Sequence, residues 1–138
     1  MSELKTGRYF TPNEANELLP EVVGRLDAIG KRLREARELA RKVPAGDAAE
    51  AEAVVRAQLH QLQKEVEGLL DQINAAGVLV KGVAPGLLDF PALRNGQEVF
   101  LCWREGEGRV ENWHPIHTGF TGRKEVDFED FGVWEWCH

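Results

Sequence analysis

The chain has 138 residues, of which 43% are hydrophobic and 29% charged, and carries a formal net charge of -6. That length suits one compact domain over residues 1–138 with a real hydrophobic core, and that balance excludes wholesale disorder. Net acidity argues against a general nucleic-acid binder, which needs accumulated Lys and Arg.

No opening run joins a basic start to an apolar stretch and a small-residue cleavage site, and no segment has the length to cross a bilayer. A cytoplasmic protein without membrane attachment is therefore expected. Cys102 and Cys137 lie far apart in the sequence, and a compartment that keeps thiols reduced makes a disulfide between them an unfavoured reading.

The first element opens at "TPNE". Thr11 can cap free amides, Pro12 fits the first helical position, and Glu14 closes a capping box. Apolar residues follow at Ala15, Leu19, Val22, Leu26, Ile29, Leu33, Ala36, Ala40 and Val43, in alternating steps of four and three that mark a coiled-coil seam. Leu18, Val23 and Leu39 widen the stripe. Pro20 removes a donor and crowds the carbonyl of Asn16, which predicts a kink. Glu21 with Arg25, Asp27 with Lys31 and Glu38 with Lys42 stand at helix-supporting spacing. The basic run between Gly24 and Lys42 reads as a solvated flank rather than a phosphate-binding strip.

After "VPAGD" a second helix runs from a cap at Asp47 to a stop at Gly77, with Val55, Leu59, Leu62, Val66, Leu69, Ile73 and Ala76 repeating the seam. Residues 11–76 thus form a long antiparallel two-helix hairpin, each arm roughly 45 Å long at 1.5 Å per residue. Each stripe is wider than one partner covers, so a homodimer joined through the hairpins is expected, with coverage by the sheet as the competing explanation.

Beyond Gly77 the period shortens. "VLVKGV" reads as a strand, "APG" as a turn, and Asn95-Gly96 as the two-residue turn of a hairpin that sets Phe90 opposite Leu101 and Leu88 opposite Trp103. A tight turn at "EGEG" then places Arg104 opposite Arg109, Val110 beside Trp103, and Cys102 beside Glu111. One sheet face becomes Leu88, Phe90, Ala92, Val99, Leu101, Trp103 and Val110, packed on the helices. The other carries Asp89, Cys102 and Glu111 in a row, flanked by Arg104, Arg109, Phe100 and Trp113. Residues 78–123 make this small, mainly antiparallel sheet with its histidine and glycine loop, and the fold class is α+β. The acidic aromatic tail, 124–138, reads as an edge strand or a completion of the core, ahead of a partner-binding segment or a metal contact through Cys137 and His138.

The stretches "YFTPNEANELLP", "GLLDFPALRNGQEVFLCWREGE" and "WHPIHTGFTGR" together resemble a family of small bacterial proteins, the domain of unknown function 2203 family, from about Tyr9 to Arg123. The resemblance implies no established activity, substrate or cofactor.

Three chemistries suit the residues around "WHPIHTGFTGR". His114 and His117, with Cys102, Asp89 or Glu111, supply donors for zinc or another divalent metal, although residues three apart in a strand face opposite sides unless the chain turns at Pro115. Gly119 and Gly122 could open a backbone cradle for an anionic small ligand, with Arg123 as its fork and His114, Arg104 and Arg109 nearby. Cys102 as nucleophile or His114 as general base would make an enzyme, but no complete set with readable spacing accompanies them. A structural polar network explains the same letters. The favoured expectation is a non-catalytic interaction or assembly module that self-associates through its hairpin. Metal binding, anionic-ligand binding or an enzyme is the alternative.

Overall fold

A computed structural model describes residues 8–42 and 49–131. Val43, the rest of "VPAGD" with its cap Asp47, and Val133, Trp134, Trp136, Cys137 and His138 of the tail lie outside these residues. Helix α1 (Pro12–Arg41) and helix α2 (Ala49–Ala75) pack against each other, and strands β1 (Leu79–Val83), β2 (Gly86–Arg94), β3 (Gln97–Arg104), β4 (Asn112–Pro115) and β5 (Lys124–Glu125) form an antiparallel sheet in sequential order. A 3-10 turn (Phe120–Gly122) precedes β5, and a short helix, α3 (Phe128–Phe131), follows it. The fold is α+β.

At the start of α1 the Thr11 hydroxyl accepts from the Glu14 amide (3.1 Å) while the Glu14 carboxylate accepts from the Thr11 amide (2.9 Å), satisfying donors that the first turn leaves free. The helix continues through Pro20, which is exposed. Its seam is buried at Ala15, Leu19, Val22, Leu26 and Ile29, and then emerges, with Leu33 41% exposed. On α2, Ile73 is buried and Leu59, Leu62, Val66 and Leu69 are half-buried. The arms are tied by Arg32 to Glu65 (2.8 Å) and Arg25 to Gln72 (2.9 Å), while Glu38 pairs with Arg41. The base of the hairpin therefore sits on the sheet, and among the described residues its outer part packs on the other arm.

Asn95 and Gly96 have φ of 50° and 84°, the left-handed pair that matches the twist of two adjoining strands. Their turn sets Phe90 opposite Leu101 and Leu88 opposite Trp103, as expected. Those residues, with Ala92, Val99 and Val110, join the α1 seam in the core. A side chain on Gly86 would come within 2.8 Å of Leu26 Cδ2, so the missing Cβ lets α1 lie against β2.

The expected pairing of β4 is displaced by one residue. Cys102 faces Asn112, not Glu111, and Leu101 faces Trp113. The cause is non-local: Asn16 on α1 accepts from the Val110 amide (2.7 Å) and donates to the Val110 carbonyl (3.1 Å), so that backbone bonds to the helix. Meanwhile the Glu107 carboxylate takes the Arg104 amide (2.7 Å) and the Glu107 carbonyl takes the Trp103 indole N–H (2.9 Å). The wider loop delays β4 by one position, and a one-residue slip exchanges the faces. Trp113 turns inward against Phe131, centroids 6.2 Å apart, and His114 turns outward.

The described part of the tail joins both the sheet and the core. Lys124 pairs with Trp113 and Glu125 with Asn112 as the edge strand, and Phe131 is buried in the core. Arg94 holds Asp130 of α3 at 2.6 Å. Among the described residues no helix is long and apolar enough to cross a membrane.

Candidate metal centre

On the sheet face turned away from the core, the slipped register brings together three side chains. Asp89 of β2 pairs with Cys102 of β3, and His114 of β4 pairs with Phe100 two residues before Cys102. Asp89, Cys102 and His114 are 4%, 2% and 2% exposed, and one donor atom from each lies within 4.8 Å of the others. They line a cavity of about 200 Å³ whose walls include Leu87, Phe100, Ile116 and Phe120.

The histidine is fixed at both nitrogens. A carbonyl oxygen only accepts, so Nδ1–H donates to the Pro115 oxygen at 2.7 Å. Nε2 then faces Asp89 Oδ1 at 3.1 Å. An imidazole lone pair and a carboxylate oxygen at that separation need a cation between them, either a proton or a metal ion. Burial disfavours the charged ring, but the hydrogen bonds to Asp89, Cys102 and the Pro115 carbonyl together outweigh it and raise the His114 pKa from 6.5 to about 10.

This sets a pH dependence with a definite sign. A folded-state pKa above the unfolded one contributes stability that is complete below pH 6.5 and is lost as the pH climbs through about 10. In the presence of a chelator, urea unfolding across that window should lose stability on the order of several kcal/mol more in the wild type than in His114→Gln. Parallel curves for the two proteins would show that the ring is uncharged at neutral pH.

The remaining sequence candidates are not gathered here. His117 is exposed in the turn after β4, whereas His114 is buried within the strand. Glu111 is exposed and, with Arg109, borders a separate cavity of about 310 Å³. Arg123 Nη2 is engaged by both carboxylate oxygens of Glu107, at 2.6 and 2.7 Å, while its buried Nε has no partner among the described residues. The amides of Thr118, Gly122 and Arg123 point to the carbonyls of Pro115, Gly119 and Phe120. A side chain at Gly122 would collide with Thr118. These bonds close the loop as a tight turn on itself. Its contribution is a wall: Ile116, Gly119 and Phe120 border the His114 cavity, with the Phe120 ring beneath the guanidinium of Arg123 (4.5 Å) and near that of Arg104 (5.7 Å).

One residue escaped the sequence reading. Lys81 of β1 lines the same cavity, its ammonium 5.3 Å from the Phe100 centroid. The signal was present as a glycine, Gly82, inside an otherwise apolar strand, a mark of a bulge.

Fold and site together define an α+β hairpin-and-sheet protein with a buried acid, thiol and imidazole at the floor of a cavity. Residues 8–126 match the family described as an uncharacterized conserved protein (DUF2203), and the chain belongs to that family. No curated protein and no solved structure matches it.

Proposed function

We propose that the protein binds one divalent metal ion of the zinc class through Asp89, Cys102 and His114. The observation that carries this reading is the convergence of three buried donors of different type, within 4.8 Å of one another, on a cavity. A thiolate, an imidazole and a carboxylate suit a borderline-soft ion, and three protein ligands leave a fourth position for an exchangeable one. The bond from Nδ1–H to the Pro115 carbonyl is the outer-shell contact that orients a metal-binding histidine, with Nε2 turned toward the Asp89 carboxylate, where an ion would replace the proton between them. The same bond disfavours a Cys–His–Asp relay, which needs one ring nitrogen for the thiol and the other for the acid. A cytoplasmic setting would keep Cys102 reduced and available.

Titration with zinc and cobalt(II), followed by metal analysis, should give one ion per chain. His114→Ala and Cys102→Ser should weaken binding beyond the roughly 10–100-fold typical of outer-shell changes, with circular dichroism confirming that each variant is folded. Full occupancy in both folded variants, or none in the wild type after zinc addition, would remove the reading.

Self-association through the hairpin is the second reading, favoured by the exposure of Leu33 (41%) and Val54 (58%). Under it the chain is an assembly module whose partner is a second copy. Light scattering should return twice the chain mass, falling to one chain in Leu33→Glu with Val54→Glu; a monomeric wild type would refute it.

A further inference from the structure

Strand β1 is irregular at one point. Val80 pairs with Leu88 and Gly82 with Leu87, so Lys81 is an extra residue with no partner of its own on β2. Bulges of this kind re-aim a side chain and are frequent beside binding sites. Gly82 makes the bulge possible, since a Cβ there would stand 3.0 Å from the Pro85 carbonyl oxygen. The bulge puts the Lys81 ammonium at the cavity that holds Asp89, Cys102 and His114, against the face of Phe100. Asp89, the acid of that cavity, is already engaged by His114.

Resting on the metal reading, we propose that the cavity receives a small monocarboxylate with a short apolar tail, whose carboxylate spans the open metal position and the ammonium of Lys81. The charge balance selects a monoanion. A divalent ion with the Asp89 carboxylate and the Cys102 thiolate is neutral, and Lys81 adds one positive charge. A phosphate dianion would overshoot that charge. The walls select the tail: Leu87, Phe100, Ile116 and Phe120 offer apolar surface, and about 200 Å³ accommodates a short chain or one ring. Phe120 is held in place by Arg123, itself bound by Glu107, so the wall stands ready before a ligand arrives.

Cobalt(II)-loaded protein, titrated with acetate, butyrate, benzoate, their amides and inorganic phosphate, tests this. The thiolate-to-cobalt absorption band reports that the metal is in place, and the ligand-field bands report a change at the open position. Carboxylates should shift the ligand-field bands, and affinity should rise about fourfold per methylene from acetate to butyrate. Lys81→Met should weaken carboxylate binding by about tenfold or more while the thiolate band persists. A thiolate band with no carboxylate response, tighter binding of phosphate or of the amides, or an unchanged carboxylate affinity in Lys81→Met would overturn the inference alone. Absence of the thiolate band in the wild type would sink the metal reading and take this inference with it.

Discussion

Asp89→Ala should cost about 3–5 kcal/mol of folding stability, measured by urea unfolding in the presence of a chelator. His114 is 2% exposed, and its Nε2 has the Asp89 carboxylate at 3.1 Å. Removing that carboxylate leaves either a buried cation without a counter-charge or a buried nitrogen without a partner, and each is expensive in a site so little exposed. Asp89→Asn separates this structural role from ligation. Its amide N–H can donate to a neutral Nε2 and retains the shape, so the stability loss should be much smaller, whereas a neutral amide is a poor substitute for a carboxylate on zinc. The expected pattern is one large stability loss and one small one, with zinc binding lost in both. If the two variants were equally stable, a hydrogen bond from an amide to neutral Nε2 would not replace what the carboxylate supplies; if Asp89→Asn bound zinc like the wild type, the carboxylate would not be a ligand.

What could be read from the sequence is what local chemistry decides. Thr11 and Glu14 are three residues apart and close their box within one turn; Asn95 and Gly96 specify their turn by their own backbone preferences, and the turn then dictates every pair back to Leu87 opposite Arg104. Asp89 and Cys102 are therefore placed side by side by the turn alone. His114 is named with them for its donor type alone, because the register that sets its face involves a bond between Asn16 and Val110, 94 positions apart. Counting residues through "EGEG" gave the register that a free hairpin would take, and α1 overrides it. Glu111 entered the expected row, and Trp113 was expected on the outer face, through that single displacement. Arg123 suits a carboxylate, and in the fold it pairs with one supplied by Glu107 of this same chain, a partner that no local pattern reveals. Lys81 was legible in principle from Gly82, though a bulge reveals a change of aim without revealing its direction.

The same dependence makes Asn16 a remote control of the site, and Asn16→Leu is the sharpest test of it. Val110 is fully buried, and the Asn16 amide serves both its N–H and its carbonyl. An apolar residue of similar volume leaves both groups unpaired, at about 1–3 kcal/mol each. Freed from α1, the loop can tighten toward the pairing of Arg104 with Arg109, which would return His114 to the core face and expose Trp113. Asn16→Leu should therefore lower stability by several kcal/mol, reduce hydrogen-exchange protection along Asn112–Pro115, and weaken zinc binding although position 16 touches none of the three donors. Asn16→Asp retains the oxygen that accepts from the Val110 amide and loses the donor to its carbonyl, so it should fall between the two. If Asn16→Leu kept full protection of β4 and normal zinc affinity, the pairing of β4 with β3 and β5 would suffice to hold the register, and α1 would have no part in shaping the site.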